Sequence, residues 1–230
     1  MKKINEKIKY IIKGLFVFFI FFSSSYIQYI PIKIFKIDVK TMSDTMAVVL
    51  STFSSLVLLF IFFLIYRKDL KKDFKVFWKN KEEYIDTGIR CWILGLFIMF
   101  TINFILNIVL KAGGANNEKI VQTMIRSFPL LMIINAGILA PFNEEIVFRK
   151  TLKDIFKNKW AFIISSFILF GGAHVIGNSN TLVDYLFIIP YGALGASFAY
   201  AYYKTNNIFT SVTLHMTHNI ILILISILLH

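Results

Sequence analysis

The chain is short of charge and almost without cysteine. Only 17% of its 230 residues are Asp, Glu, Lys or Arg, against 57% hydrophobic and 17% aromatic. That balance excludes an ordinary soluble domain of this length. Cys91 is the single cysteine, so an intramolecular disulfide, a thiolate zinc cluster and a CxxC redox pair are all excluded. Its neighbours are apolar, and nothing marks it as a nucleophile. The sequence shows no internal repeat and no low-complexity tract. No small-residue cleavage site precedes Pro31, so the first apolar stretch does not read as a cleavable signal peptide.

What the chain has is long apolar runs. A membrane-spanning helix needs about 20 predominantly apolar residues, and about seven such stretches are present. They run from Ile12 to Ile30, Met46 to Tyr66, Gly88 to Leu110, Phe128 to Phe148, Trp160 to Ile176, Leu182 to Tyr203 and Ile208 to Leu229. Short polar connectors separate them, with Lys111 to Arg126 the clearest turn region, through Gly113, Gly114, Asn116 and Asn117. The expected fold is all-α, a polytopic transmembrane bundle of about seven spans with no room for a soluble domain. Residues 1–127 supply the N-terminal helices, and residues 128–230 form the core that carries the polar site.

Acidic residues are few: 13 Asp and Glu face 25 Lys and Arg, a net charge of +12. Nucleic acid is one partner such a charge suggests, but its placement points to topology. With the N-terminus inside, cytoplasmic segments hold 19 of the 25 basic residues, as the positive-inside rule expects. Seven spans then put the C-terminus outside. Within residues 67–86, lysines alternate with Leu70, Phe74, Phe77, Trp78 and Tyr84 at roughly helical spacing. This reads as an amphipathic segment against anionic lipid, with a solvated basic loop as the plainer alternative. The bilayer is the expected partner, and no nucleic acid is.

Ionisable side chains inside a span are costly unless paired or hydrated, so each is a functional candidate. They cluster here. The fourth span ends in Asn143-Glu144-Glu145-Ile146-Val147-Phe148-Arg149, the fifth carries Phe170-Gly171-Gly172-Ala173-His174, and the seventh carries His215-Met216-Thr217-His218-Asn219. On a helix, Glu145 and Arg149 are four apart and share a face, so they can pair. Glu144 is turned about 100° away, which leaves it the freer carboxylate. His215 and Asn219 likewise share a face. A hairpin folded at Lys157-Asn158-Lys159 would bring Glu144 and His174 level, giving one buried polar site open toward the cytoplasm. Taken singly, each group has a structural explanation: a helix-end salt bridge, a core histidine, interhelical hydrogen bonding. Together, at matched depth, they favour chemistry.

At these residues the sequence resembles the CPBP family, the type II CAAX-prenyl endopeptidases together with bacteriocin-processing and bacteriocin-immunity (Abi) proteins. Glu-Glu-x-x-x-Arg at 144–149, Phe-x-x-x-His at 170–174 and His-x-x-x-Asn at 215–219 are similar to its three ordered motifs, and no motif residue departs from the pattern. The resemblance spans roughly Pro129 to His230. It implies an intramembrane endopeptidase in which Glu144 and His174 activate a water, Glu145 and Arg149 organise the site, and His215 with Asn219 form the oxyanion hole. The implied substrate is a membrane-associated peptide or protein. The abundance of Lys, Ile and Asn suggests a bacterial source, which favours a pheromone, bacteriocin leader or immunity role over CAAX processing.

Three alternatives stay open. No metal is favoured, because paired histidine ligands on one helix often stand four apart, whereas the fourth position after His215 is Asn219, a poor zinc ligand. Zinc held by His174, His215 and His218 or Glu144 remains the metalloprotease alternative. A rhomboid-like Ser197/His215 dyad is a second, although Phe198 stands where that family has glycine. A non-enzymatic immunity or signalling scaffold is the third.

Overall fold

The computed structural model describes residues 2–111, 114–179 and 181–229, with side chains from Glu6 onward. Gly113 of the expected turn, His230 at the end of the expected core, and the side chains of Lys2 and Lys3 lie outside the described residues. Among those described, every regular element is helical, in keeping with an all-α membrane bundle.

The first apolar stretch forms two helices, α1 (Lys2–Phe22) and α2 (Ser24–Ile34), bent by 45°. The break falls in the run Ser23-Ser24-Ser25, where serine side chains can compete for backbone partners. α3 (Asp44–Lys79) starts on a Ser43 cap, whose hydroxyl accepts from the Met46 amide at 3.3 Å. No glycine or proline interrupts it, so it runs 36 residues. At ~1.5 Å per residue it outruns the ~30 Å hydrocarbon core. Residues 67–86 are consequently not a separate segment: Arg67 to Lys79 prolong α3, and Lys81 opens α4 (Lys81–Leu110) after a turn at Asn80. In the prolongation Leu70 and Phe77 are buried, while Phe74 and Trp78 stay exposed.

The expected turn after Lys111 instead contains a helix, α5 (Asn116–Ser127). Val121, Met124, Ile125 and Phe128 repeat at helical spacing and pack on Val48, Met132 and Ile223, so burial of that stripe outweighs the polar, turn-like composition. α6 (Pro129–Ile155) follows, then α7 (Lys159–Val175), α8 (Ile188–Thr205) and α9 (Ile208–Leu228). Asn158 and Asn207 cap α7 and α9 through their side-chain oxygens. α8 begins six residues later than the Leu182 expected from hydropathy. Asp184 accepts from the Thr181 amide at 2.8 Å and a 3-10 turn at Asp184–Phe187 precedes the helix.

Four helices, α3, α4, α6 and α9, are long and apolar enough to cross a membrane, and the bent pair makes a fifth. The other two expected spans correspond to α7, an apolar helix of 17 residues, and to α8, of 18 residues. Both pack tightly into the bundle. A Cβ added to Gly171 would stand 2.5 Å from the Ile188 carbonyl oxygen, and one added to Gly195 2.8 Å from Phe170. This close approach needs glycine. Gly171→Ala is therefore expected to destabilise the protein by about 1–3 kcal/mol, because the obstacle is backbone, and to lower the thermal unfolding midpoint in detergent. An unchanged midpoint would mean that α7 and α8 separate freely.

Candidate active site

α6 carries the centre of the site, and its backbone is irregular on both sides of the two glutamates. The turns at Asn135–Leu139 and Ile146–Thr151 are π-helical, flanking an α-helical Ala140–Glu145. Such widened turns are uncommon and recur at functional sites. Within the second, the Thr151 hydroxyl donates to the Ile146 carbonyl, five residues back, at 2.9 Å, and bonds the Tyr66 hydroxyl at 2.8 Å.

Glu145 is the structural anchor. It is fully buried, with Oε2 3.3 Å from Arg149 Nε and Oε1 2.8 Å from His215 Nδ1. Arg149, also fully buried, donates through Nη2 to the Gly195 carbonyl at 3.2 Å. Its guanidinium lies over the Phe170 ring at 4.3 Å and nearer the α8 side faces Phe198 at 5.6 Å. A buried guanidinium is costly unless charge, hydrogen bonds and aromatic faces meet it; here the Glu145 carboxylate and two rings do, while Nη2 alone is hydrogen-bonded and Nε and Nη1 are buried without a hydrogen-bond partner.

Glu144 is differently placed. Its Oε2 stands 3.9 Å from His174 Nε2 and 3.8 Å from His215 Nε2, and its side chain retains 17% accessibility. The far nitrogens of both rings are committed. His174 Nδ1 is 2.9 Å from the Phe170 carbonyl oxygen, an acceptor only, so Nδ1 carries the proton and Nε2 offers a lone pair toward Glu144. His215 Nδ1 donates to Glu145 in the same manner. Rings hold both imidazoles: Tyr191 stacks on His174 at 4.8 Å, and Phe198 lies 5.0 Å from His215.

Glu144, Glu145, Arg149, His174 and His215 thus converge from α6, α7 and α9. Asn219 is the candidate that the cluster does not hold directly, since its amide nitrogen donates to the Ala136 carbonyl, in the first π turn, at 2.8 Å. His218 points elsewhere, edge-on to Trp92 at 6.1 Å and to Phe198 at 6.5 Å. The Ser197 hydroxyl donates to its own helix at Leu194, and the side chain abuts Gly95 of α4; no contact joins it to His215, which is instead bound to Glu145. Among the described residues, no three His, Cys, Asp or Glu side chains are arranged to hold a metal ion.

Tyr191 and Phe198 wall the two histidines without belonging to any of the three motifs. The available signal was small residues at 192, 193 and 195 among aromatics on one span, a pattern that helix packing alone also explains.

Three helices of a membrane bundle thus feed one buried Glu/His/Arg cluster. The same stretch is similar to a known family: residues 126–221 match the family described as Type II CAAX prenyl endopeptidase Rce1-like. That stretch contains the three motifs, at 144–149, 170–174 and 215–219, on which the resemblance to the CPBP family rests. Among curated proteins, "Putative membrane peptidase YdiL" of Bacillus subtilis (strain 168) is 28% identical over 108 residues. The aligned part is 46% of this chain and 41% of that protein's length, so the chain spans about two fifths of the relative it matches. No solved structure matches the chain.

Proposed function

We propose that this chain is an intramembrane endopeptidase that hydrolyses a peptide bond of a membrane-associated peptide or protein with a water activated by Glu144 and His174. The observation that carries the reading is the position of Glu144 Oε2, 3.8 and 3.9 Å from two imidazole Nε2 atoms. Those distances exceed direct hydrogen bonding but suit a shared water. Glu144 takes a proton from that water as its oxygen attacks the scissile carbonyl, with the lone pair of His174 Nε2 sharing the proton. The proton then passes to the leaving amine as the carbon–nitrogen bond breaks. Glu145, paired with Arg149, accepts from His215 Nδ1 and holds that imidazole turned toward the developing oxyanion.

Asn219 completes the oxyanion site in this reading. Its amide has two N–H groups, one given to Ala136 and one left for substrate. Asn219→Ala is expected to lower turnover about 10²- to 10³-fold with the Michaelis constant nearly unchanged. A large rise in Michaelis constant at unchanged turnover would assign Asn219 to substrate positioning instead.

A second reading has one specific observation in its favour. Both His174 and His215 present Nε2 while Nδ1 is tied to an oxygen acceptor, which is how zinc-ligating histidines are oriented; as placed they do not form a three-ligand site with Glu144, so a zinc would have to draw the three together to supply Lewis-acid activation of water. Elemental analysis of active purified protein, with chelator treatment, separates the two. Full activity without zinc and after chelation is expected; about one zinc per chain, with activity lost to chelation and restored by zinc, would establish the metalloenzyme.

The substrates that fit this reading are a pheromone or bacteriocin leader in a bacterial membrane, with a CAAX-like protein as the alternative. The N-terminus is cytoplasmic in this proposal. Comparing the membrane peptidome of a deletion strain with that of the wild type tests it, because peptides uncleaved in the deletion identify the substrate. If complementation by Glu144→Ala protein restored the wild-type pattern, a non-catalytic scaffold role would replace it.

A further inference from the structure

A second polar feature lies at the end of the bundle where α3, α6, α7 and α8 come together. It is a cavity of about 370 Å³ lined by four lysines, three aspartates, Tyr202, Tyr203 and Asn206 among others. The charges are unevenly matched. Lys150 takes two of the aspartates, with Nζ 3.1 Å from Asp69 and 2.9 Å from Asp154. Among the described residues Lys72, Lys153 and Lys157 make no such pair, and four lysines against three aspartates leave the lining with one net positive charge. Asp73 is itself engaged by the Ile208 amide at 3.4 Å.

Lys153 is the informative group. It is half-buried, and among the described residues no carboxylate lies within ion-pair distance of it. Its ammonium donates to Asn206 Oδ1 at 2.6 Å and to the Tyr202 carbonyl at 3.4 Å, and sits 4.0 Å from the Tyr202 ring. Its direct contacts are neutral acceptors and an aromatic face, while Asp73 and Asp154 act on it only from beyond ion-pair distance. A sequestered cation so placed favours an anion beside it. The depth identifies which anion: Trp160 and Tyr203 are exposed at this end, as aromatic side chains are at a membrane–water interface. Basic pockets between membrane helices at that level accept lipid headgroups.

We propose that this cavity binds a phosphate group between Lys72, Lys153 and Lys157, supplied by an anionic lipid headgroup or by free phosphate. The site is separate from the glutamate–histidine cluster and does not depend on the catalytic reading. It abuts the same α6 turn, because Lys150 follows Arg149 within Ile146–Thr151.

The test uses the full chain in nanodiscs of phosphatidylcholine with or without phosphatidylglycerol, and separately with inorganic phosphate. Lipid retention by native mass spectrometry and the thermal unfolding midpoint are the readouts. Phosphatidylglycerol should be retained selectively and raise the midpoint. A Lys153→Gln/Lys157→Gln double variant should weaken that retention at least about tenfold, as expected for a lost charge-assisted hydrogen bond. Lys153→Arg and, on α5, Lys119→Gln should leave it unchanged. Competition by inorganic phosphate would assign the site to phosphate from either source; its failure to compete would assign it to the headgroup. If the double variant does not fold, Lys72→Gln, at an exposed position, decides alone. Equal retention of phosphatidylglycerol and phosphatidylcholine with no effect of phosphate, or undiminished retention by the variants, would overturn the proposal.

Discussion

Glu144→Gln is expected to abolish peptide-bond cleavage and leave the fold intact. The substitution keeps the size and hydrogen-bonding reach of the side chain but removes its ability to accept a proton. Glu144 is not the partner that compensates Arg149; that is Glu145, at 3.3 Å. Its contacts to His174 and His215, at 3.9 and 3.8 Å, are too long to contribute much to stability. Loss of a general base costs about 10²- to 10⁴-fold in rate. Cleavage of a reporter peptide by purified protein, read beside the thermal unfolding midpoint, checks both halves. Turnover near wild type would remove Glu144 from the mechanism, and a collapse of the midpoint would make its role structural.

The second large effect is on stability. Arg149→Ala strips the buried Glu145 of its cation while His215 keeps only one of its oxygens occupied. Breaking a buried pair by removing one partner costs about 3–5 kcal/mol, chiefly because the remaining charge is uncompensated. The guanidinium also fills the space between Phe170 and Phe198, so truncation leaves a cavity as well. The expected result is a steep fall in unfolding midpoint and in membrane yield. Glu145→Gln/Arg149→Met should recover much of it, because the orphaned charge is gone and the volume is kept. It should stay inactive, because His215 loses its orienting carboxylate. A single Arg149→Ala variant destabilised by less than about 1 kcal/mol would show that water already reaches the pair.

These two predictions also mark what was legible in advance. The division between a free and a paired carboxylate follows from helical geometry, since adjacent residues diverge by about 100° and residues four apart share a face. The meeting of Glu144 with His174 follows from the short turn at Lys157-Asn158-Lys159 together with equal chain distances on either side. The bond from His215 to Glu145 was not legible. Periodicity ranks residues around each helix but does not set the rotation of α9 against α6. The two π turns were hidden for a related reason: they add a residue to a turn without any change in composition, and tertiary contacts such as Thr151 with Tyr66 hold them.

By itself the sequence determined that this protein is an all-helical membrane protein, because backbone polar groups in lipid must be satisfied within each apolar stretch. It also determined which ionisable residues are out of place there, and in which order they occur along the chain. The tertiary structure decided which atoms face one another. It gave Glu145 to both Arg149 and His215, tied Asn219 to Ala136, turned Ser197 toward α4, and gathered four lysines and three aspartates around one cavity. Those outcomes depend on helix rotation, crossing and backbone irregularity, which are fixed by side chains from several helices packing at once rather than by any one stretch of sequence.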